Sequence, residues 1–162
     1  MNEAQKAFAK KILNEAYKAK TVTGLPASML AAQCILETGW GRSIPTDIHT
    51  GKFSYNLFGI KGEGSNGSVD IYTHEYVNGK KIKIIAKFRA YNDYAESFVD
   101  YGNLILGAKR YKEAVINKDN AEKYIYELWK AGYATDPKYP EKILKIARRC
   151  NFIPKEKSNE DV

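Results

Sequence analysis

Residues 26–41 read PASMLAAQCILETGWG: a proline, a run of mostly apolar residues, then Glu37 and a Gly-Trp-Gly ending. Pro26 suits the first turn of a helix, because its fixed φ is already helical and the N–H it lacks has no partner there. Gly39 suits the stop, so the pattern predicts a helix from Pro26 to about Thr38. A helix that is apolar on nearly all sides belongs in the interior. Its one charged residue is Glu37, in the last turn.

Helical signals continue on both sides of this stretch. Asn2 and Gln5 have capping-box spacing, and Ala4, Phe8, Ile12 and Ala16, with Leu13 and Tyr17, recur at helical intervals, predicting a first helix that ends near Lys20. Between Gly39 and Asn92 the helical period is lost. Ile71–Val77 and Lys81–Phe88 are β-rich runs joined by Asn78-Gly79, the dipeptide of a two-residue type I′ hairpin. Ile71, Thr73, Glu75 and Val77 then share one face. Asp93 and Glu96 cap a helix with a stripe of Phe98, Tyr101, Leu104 and Ile105 that stops at Gly107. A short helix follows near Arg110–Ile116. Another begins at Asn120, buries Ala121, Tyr124, Ile125, Leu128 and Trp129, and stops at Gly132. Pro140 opens the last helix, with Ile143, Leu144, Ile146 and Ala147 facing inward. The predicted class is α+β, mainly helical, with a small β-lobe at about 50–90 in one domain over residues 1–154. Residues 155–162 read as a polar tail or the start of a linker.

Composition narrows the possible functions. With 162 residues, 44% of them hydrophobic and 28% charged, the chain fits one soluble core rather than a disordered or fibrous protein. No apolar run has the roughly 18–20 residues of a membrane span, and the first residues lack the apolar centre of a signal peptide. The net charge of +7 favours polyanions as partners. No helix-turn-helix, zinc or RNP-like motif appears, and the aromatics are not expected to interleave with a basic stripe, so nucleic acid is not expected. Cys34 and Cys150 stand alone and read as reduced thiols, and neither a metal nor a cofactor is expected from their spacing to His49 or His74. Tyrosine is frequent, 12 residues, and its flat apolar face with a polar tip suits sugar binding.

Glu37 carries the strongest chemical signal. The negative end of its helix and any burial beside Leu36 or Trp40 both oppose ionisation and raise its pKa, as a general acid near neutral pH requires. A solvated carboxylate on an outer face is the plainer alternative.

The segments AAQCILETGWGRS, NLFGIKG, YTHEYVNGKKI, FRAYNDYAES and AGYATDPKYPEKI, in this order from about Leu25 to Ile146, resemble the glucosaminidase family of bacterial peptidoglycan hydrolases, glycoside hydrolase family 73. The resemblance implies a lysozyme-like fold whose helical lobe and small β-hairpin lobe flank a substrate groove. It implies cleavage of the β-1,4 bond between N-acetylglucosamine and N-acetylmuramic acid in peptidoglycan. By position, Glu37 matches the family's catalytic acid, Glu75 its second acidic residue and Tyr133 a groove tyrosine implicated in catalysis. Asn56, Phe58, Gly59 and Lys61 match a loop that is structural or positions substrate. Trp40, Tyr76 and Asp136 join Asn56, Phe58 and Lys61 as expected substrate-binding residues.

Several readings stay open at this level. Glu75 is also readable as a solvated hairpin carboxylate, Trp40 and Phe58 as core, and Tyr133 as a packing residue under its turn. A Glu37–Glu75 separation beyond about 9.5 Å would be too wide for inversion, leaving the substrate's acetamido group as nucleophile. A lytic transglycosylase of similar fold and a non-catalytic wall-binding module are the rival functions. The expected setting is the cell wall or exterior, as a monomer held to anionic wall polymers by charge, either a domain of a longer protein or a phage lysin.

Overall fold

The computed structural model describes residues 1–156, so most of the predicted tail lies outside the described residues. Its elements are α1 (Glu3–Thr23), α2 (Ala27–Thr38), β1 (Ser68–Val77), β2 (Lys80–Arg89), α3 (Tyr94–Gly107), α4 (Lys112–Ile116), α5 (Ala121–Lys130) and α6 (Tyr139–Arg149). A single 3₁₀ turn at Lys109–Tyr111 precedes α4. The class is α+β, with helices as the body and one antiparallel two-stranded hairpin. Among the described residues no helix is long and apolar enough to cross a membrane.

α2 is the axis of the body. Nine of its residues are buried, and it packs against α1, α5 and α6. Pro26 is its N-cap rather than its first helical residue, and Gly39 ends it in the left-handed region at φ 56°. α1 has the complete Asn2–Gln5 capping box but runs on past Lys20 to Thr23, where Gly24 at φ 74° stops it. Its buried stripe is also rotated from the expected one: Ala9, Ile12, Ala16, Ala19 and Thr23 face inward, whereas Tyr17 is 51% exposed. Small residues there let α3 approach closely. A Cβ at Gly102 of α3 would lie 2.7 Å from Thr23 Cγ2. α3 accordingly buries Ser97, Phe98, Tyr101, Gly102 and Ile105, while the expected core residue Leu104 is exposed.

Only half of the second capping box forms. Asp93 accepts from the Glu96 N–H, but the Glu96 carboxylate accepts from the Asn92 N–H and from the Ser65 hydroxyl. This ties the 62–67 loop to the start of α3. Ser65 first, then Asn92, hold the Glu96 pKa below the usual carboxylate range.

The hairpin turns at Asn78 (φ 52°) and Gly79 (φ 77°), both left-handed as a type I′ turn requires. Its register pairs Tyr72 with Ile85, Glu75 with Ile82 and Tyr76 with Lys81. Alternation then separates two faces. The inner face holds buried Val69 and half-buried Ile71, Thr73, Ile84, Ala86 and Phe88, with Glu75 further out. The outer face is solvent-exposed from Tyr72 to Tyr76 and across Lys81, Lys83, Ile85 and Lys87. The expectation that aromatics do not interleave with a basic stripe therefore fails here. Residues separated in sequence interleave across the strands, which a linear reading does not register.

The segment after α2 is Gly39-Trp40-Gly41, three consecutive left-handed residues. A Cβ on Gly41 would sit 2.6 Å from the Phe8 ring, whereas one on Gly39 would meet nothing within 4 Å. Gly41→Ala is expected to destabilise the fold by about 2–3 kcal/mol, from backbone strain plus the clash, and Gly39→Ala by about 1 kcal/mol from strain alone. Thermal or denaturant unfolding of the two variants checks the difference.

Candidate functional site

Glu37 stands where α2 leaves the core. The Trp40 N–H reaches back to the Ile35 carbonyl at 3.0 Å and the Gly39 N–H to the Leu36 carbonyl at 3.4 Å, so the helix closes in a Schellman motif. Thr38 Oγ1 donates to the Cys34 carbonyl and accepts from the Gly41 N–H, locking the turn. Glu37 and Leu36 are the two exposed residues of α2. Although the side chain of Glu37 opens to solvent, the protein around it desolvates the carboxylate and raises its pKa above the usual value. The surroundings differ from the expected ones. Leu36 is 40% exposed, and half-buried Trp40 lies under the Arg149 guanidinium of α6, 5.9 Å from the ring centroid. Gly59 instead approaches Glu37 closely, since a Cβ there would lie 3.5 Å from Glu37 Oε1.

A cluster of tyrosines flanks the carboxylate. Tyr133 follows Gly132 (φ 97°) in a second Schellman closure, its N–H bonded to the Leu128 carbonyl at 3.3 Å. Burial foremost, with the Glu37 charge contributing, pushes the Tyr133 hydroxyl up to about 12. Tyr139 is raised further, again by burial first, and it also feels Glu37. The Tyr133 ring lies 6.1 Å from Tyr101, 6.2 Å from Tyr111 and 5.7 Å from Tyr139. Beneath them Tyr101 donates to Gln33 Oε1 (3.3 Å), and Gln33 Nε2 donates to the Tyr139 hydroxyl (3.0 Å). Gln33 is the buried amide one turn before Glu37 on α2. Sequence reasoning passed over Gln33 and Tyr139, although a lone amide inside an apolar helix was the available signal.

The remaining expected residues divide by what their polar atoms already do. Asn56 is fully buried and fully committed: Nδ2 donates to the carbonyls of Ile60 and Arg89, both at 2.9 Å, and Oδ1 accepts from the Ile60 and Phe58 N–H groups. It is a scaffold residue rather than a sugar contact. Phe58 stacks on Tyr101 with centroids 3.8 Å apart and planes at 8°, so the loop and the tyrosine cluster are one packed unit. Lys61 is exposed, and its carbonyl accepts from Arg89 Nε at 3.1 Å. Asp136 binds Lys142 and the Lys138 N–H, and its carbonyl accepts from Trp129 Nε1 at 2.9 Å, which pins the Tyr133 loop. Glu75 is exposed on the inner hairpin face opposite Ile82. Tyr76, its neighbour, points to the outer face and is 75% exposed, so the two expected site residues lie on opposite sides of the sheet.

Comparison with known proteins adds an independent line. A family model described as glucosaminidase, mannosyl-glycoprotein endo-beta-N-acetylglucosaminidase, matches residues 13–152. The chain is 43% identical over 144 residues to the peptidoglycan hydrolase FlgJ of Pseudomonas aeruginosa, covering 88% of this chain and 36% of that protein. It is 36% identical over 130 residues to the exo-glucosaminidase LytG of Bacillus subtilis, covering 77% of this chain and 44% of that protein. The C-terminally truncated glycoside hydrolase domain of Salmonella typhimurium FlgJ superposes with a TM-score of 0.77 at 36% identity, covering 92% of this chain and 99% of that one. The chain thus spans less than half the length of these curated relatives.

Two outcomes are expected. Because folding raises the Glu37 pKa, the folded state holds that proton more tightly than the unfolded chain; the resulting stability is full below the ordinary carboxylate pKa and is lost as pH rises through the raised one. Glu37→Gln should therefore melt above the wild type at pH 7 and approach it near pH 4, as Tm measured against pH will show. Asn56→Asp sets a carboxylate against two carbonyl oxygens and should cost about 2–4 kcal/mol at neutral pH, partly regained on acidification. Its signature is a fall in Tm rather than a rise in KM alone.

Proposed function

The chain belongs to the glucosaminidase family, and from that membership together with the surroundings of Glu37 we propose that it is a peptidoglycan hydrolase, an N-acetylglucosaminidase with Glu37 as general acid. The bond cleaved is the β-1,4 linkage following N-acetylglucosamine. The observation that carries this reading is the single carboxylate at the exit of a buried helix, its pKa raised by desolvation, beside Gly59, Tyr133 and Tyr139. A protonated carboxyl there delivers its proton to the glycosidic oxygen as the bond breaks, so that the leaving sugar departs neutral. Gly59 supports the assignment because its missing side chain leaves a sugar oxygen room to approach Glu37.

The second role falls to Glu75 or to the substrate itself. If Glu75 activates water, it does so from the inner hairpin face, and the product forms with inverted configuration. If the acetamido group attacks, configuration is retained and Tyr133 is the residue placed to hold that group. The position of Glu75 on the inner face supports the first reading; the packed, poorly ionisable Tyr133 hydroxyl beside Glu37 suits the second, since it stays a neutral hydrogen-bond donor at any working pH. The site of action is the bacterial cell wall, where a +7 protein is drawn to an anionic envelope. The chain works there as a monomer.

Glu37→Gln is expected to lower wall hydrolysis by about 10²–10⁴-fold in a folded protein. Mass spectrometry of wild-type products should find reducing N-acetylglucosamine ends; anhydromuramic ends would make the enzyme a lytic transglycosylase instead. In the inverting case Glu75→Gln should lose about as much activity as Glu37→Gln, whereas in the substrate-assisted case Tyr133→Phe should lose more than Glu75→Gln. Rapid NMR of the first-formed anomer decides between them.

A further inference from the structure

The outer face of the hairpin has a composition that neither folding nor the site beside Glu37 explains. Tyr72 and Tyr76 are 51% and 75% exposed on β1, and Ile85 opposite Tyr72 is 50% exposed on β2. Lys81, Lys83 and Lys87 alternate between them on the same face. Lys83 Nζ sits 4.0 Å above the Tyr72 ring, so one face of that ring is covered by positive charge. Lys87 pairs with Asp70 at 3.3 Å, and no ion pair engages Lys81 or Lys83 among the described residues. Charged residues on a short exposed hairpin guard against edge-to-edge pairing. That role accounts for the lysines and leaves the two open tyrosines without a reason, since exposed aromatic rings on a strand promote such pairing.

We propose that this outer face is a second, non-catalytic binding surface for a carboxylate-bearing glycan, the strand of the wall polymer itself. The polymer is taken from the function proposed above. Sugar rings offer C–H faces that pack on Tyr76 and on the face of Tyr72 away from Lys83, and the ammonium groups of Lys81 and Lys83, neither in an ion pair among the described residues, complement carboxylates spaced along the strand. The two tyrosines are four residues apart on one strand, about 13 Å, so they contact separate sugar units rather than one. Tyr76 thereby keeps a carbohydrate contact, on the opposite side of the sheet from Glu75. A strand held there would keep the protein on its substrate between cleavage events, as linking two contacts to one polymer raises the local concentration at the second.

The test measures binding in the Glu37→Gln background, which does not degrade the ligand. The probes are peptide-free peptidoglycan strands, whose muramic acid units carry free carboxylates, and neutral chitin oligomers of equal length, both at physiological salt. The strands should bind more tightly than chitin. Lys81→Gln with Lys83→Gln should weaken strand binding about tenfold, the loss of roughly 1.4 kcal/mol, and leave chitin binding unchanged. Tyr72→Ala should weaken both probes, and Tyr72→Phe should restore them, which separates lost stacking from a disrupted hairpin. Cleavage of short soluble glycans by the same substitutions in the active protein should be unchanged. Equal affinity for strands and chitin, strand affinity that survives the double lysine change, or preferential capture of DNA or anionic vesicles by this face would each overturn the proposal. A loss of short-glycan cleavage would also overturn it, by making the face part of the groove. Wild-type cleavage is scored separately, so an uncleaved but tightly bound strand counts against the enzymatic reading and for this one.

Discussion

A helix buried on nearly every side has only its end to offer the solvent, and that constraint on α2 organises the rest of the molecule. Ala27–Ile35 is wrapped by α1, α5 and α6, which leaves Leu36 and Glu37 as the first residues to emerge. The environment of Glu37 is therefore set by whatever packs around one helix terminus: the Gly59 loop on one side and the Tyr133 loop on another. The rigidity of the carboxylate's position comes from the core rather than from bonds to the carboxylate. This suits the general-acid role proposed for Glu37.

The same device ends two helices and aims their aromatic residues differently. Gly39-Trp40 closes α2 and Gly132-Tyr133 closes α5, each with a left-handed glycine and an N–H returned to the carbonyl five residues before. Trp40 goes out under Arg149, while Tyr133 goes into the cluster with Tyr101, Tyr111 and Tyr139. What differs is the following segment. Gly41 packs against Phe8 and carries the chain away, whereas Asp136 and Trp129 fold the second loop back over its helix.

The parts of this arrangement legible in sequence were those with local causes. The apolar run before Glu37, the Asn78-Gly79 turn and the Asn2 and Asn120 caps each depend on residues within a few positions of one another. The α1 stripe differs from the expected one at Ala4 and Tyr17 because the face of α1 that packs on α3 is set by a long-range contact, the close approach of Gly102 to Thr23. For Asn56 the family resemblance leaves a structural and a substrate-positioning role open, because the residue type is the same in either. Only its four bonds to backbone, one of them across 33 residues to Arg89, mark it as scaffold. The Gln33–Tyr139 and Tyr101–Gln33 bonds span 106 and 68 residues, beyond any window of periodicity.

Neither cysteine is joined to another residue. Cys34 lies buried a turn before Glu37, its thiol pushed well up by burial, and burial also raises half-buried Cys150. Both therefore resist forming the thiolate through which oxidation and exchange proceed. The fold is held by packing and by hydrogen bonds that no change of redox potential can make or break. A protein built this way reaches the same folded state in reducing and in oxidising surroundings, and needs no oxidant to mature.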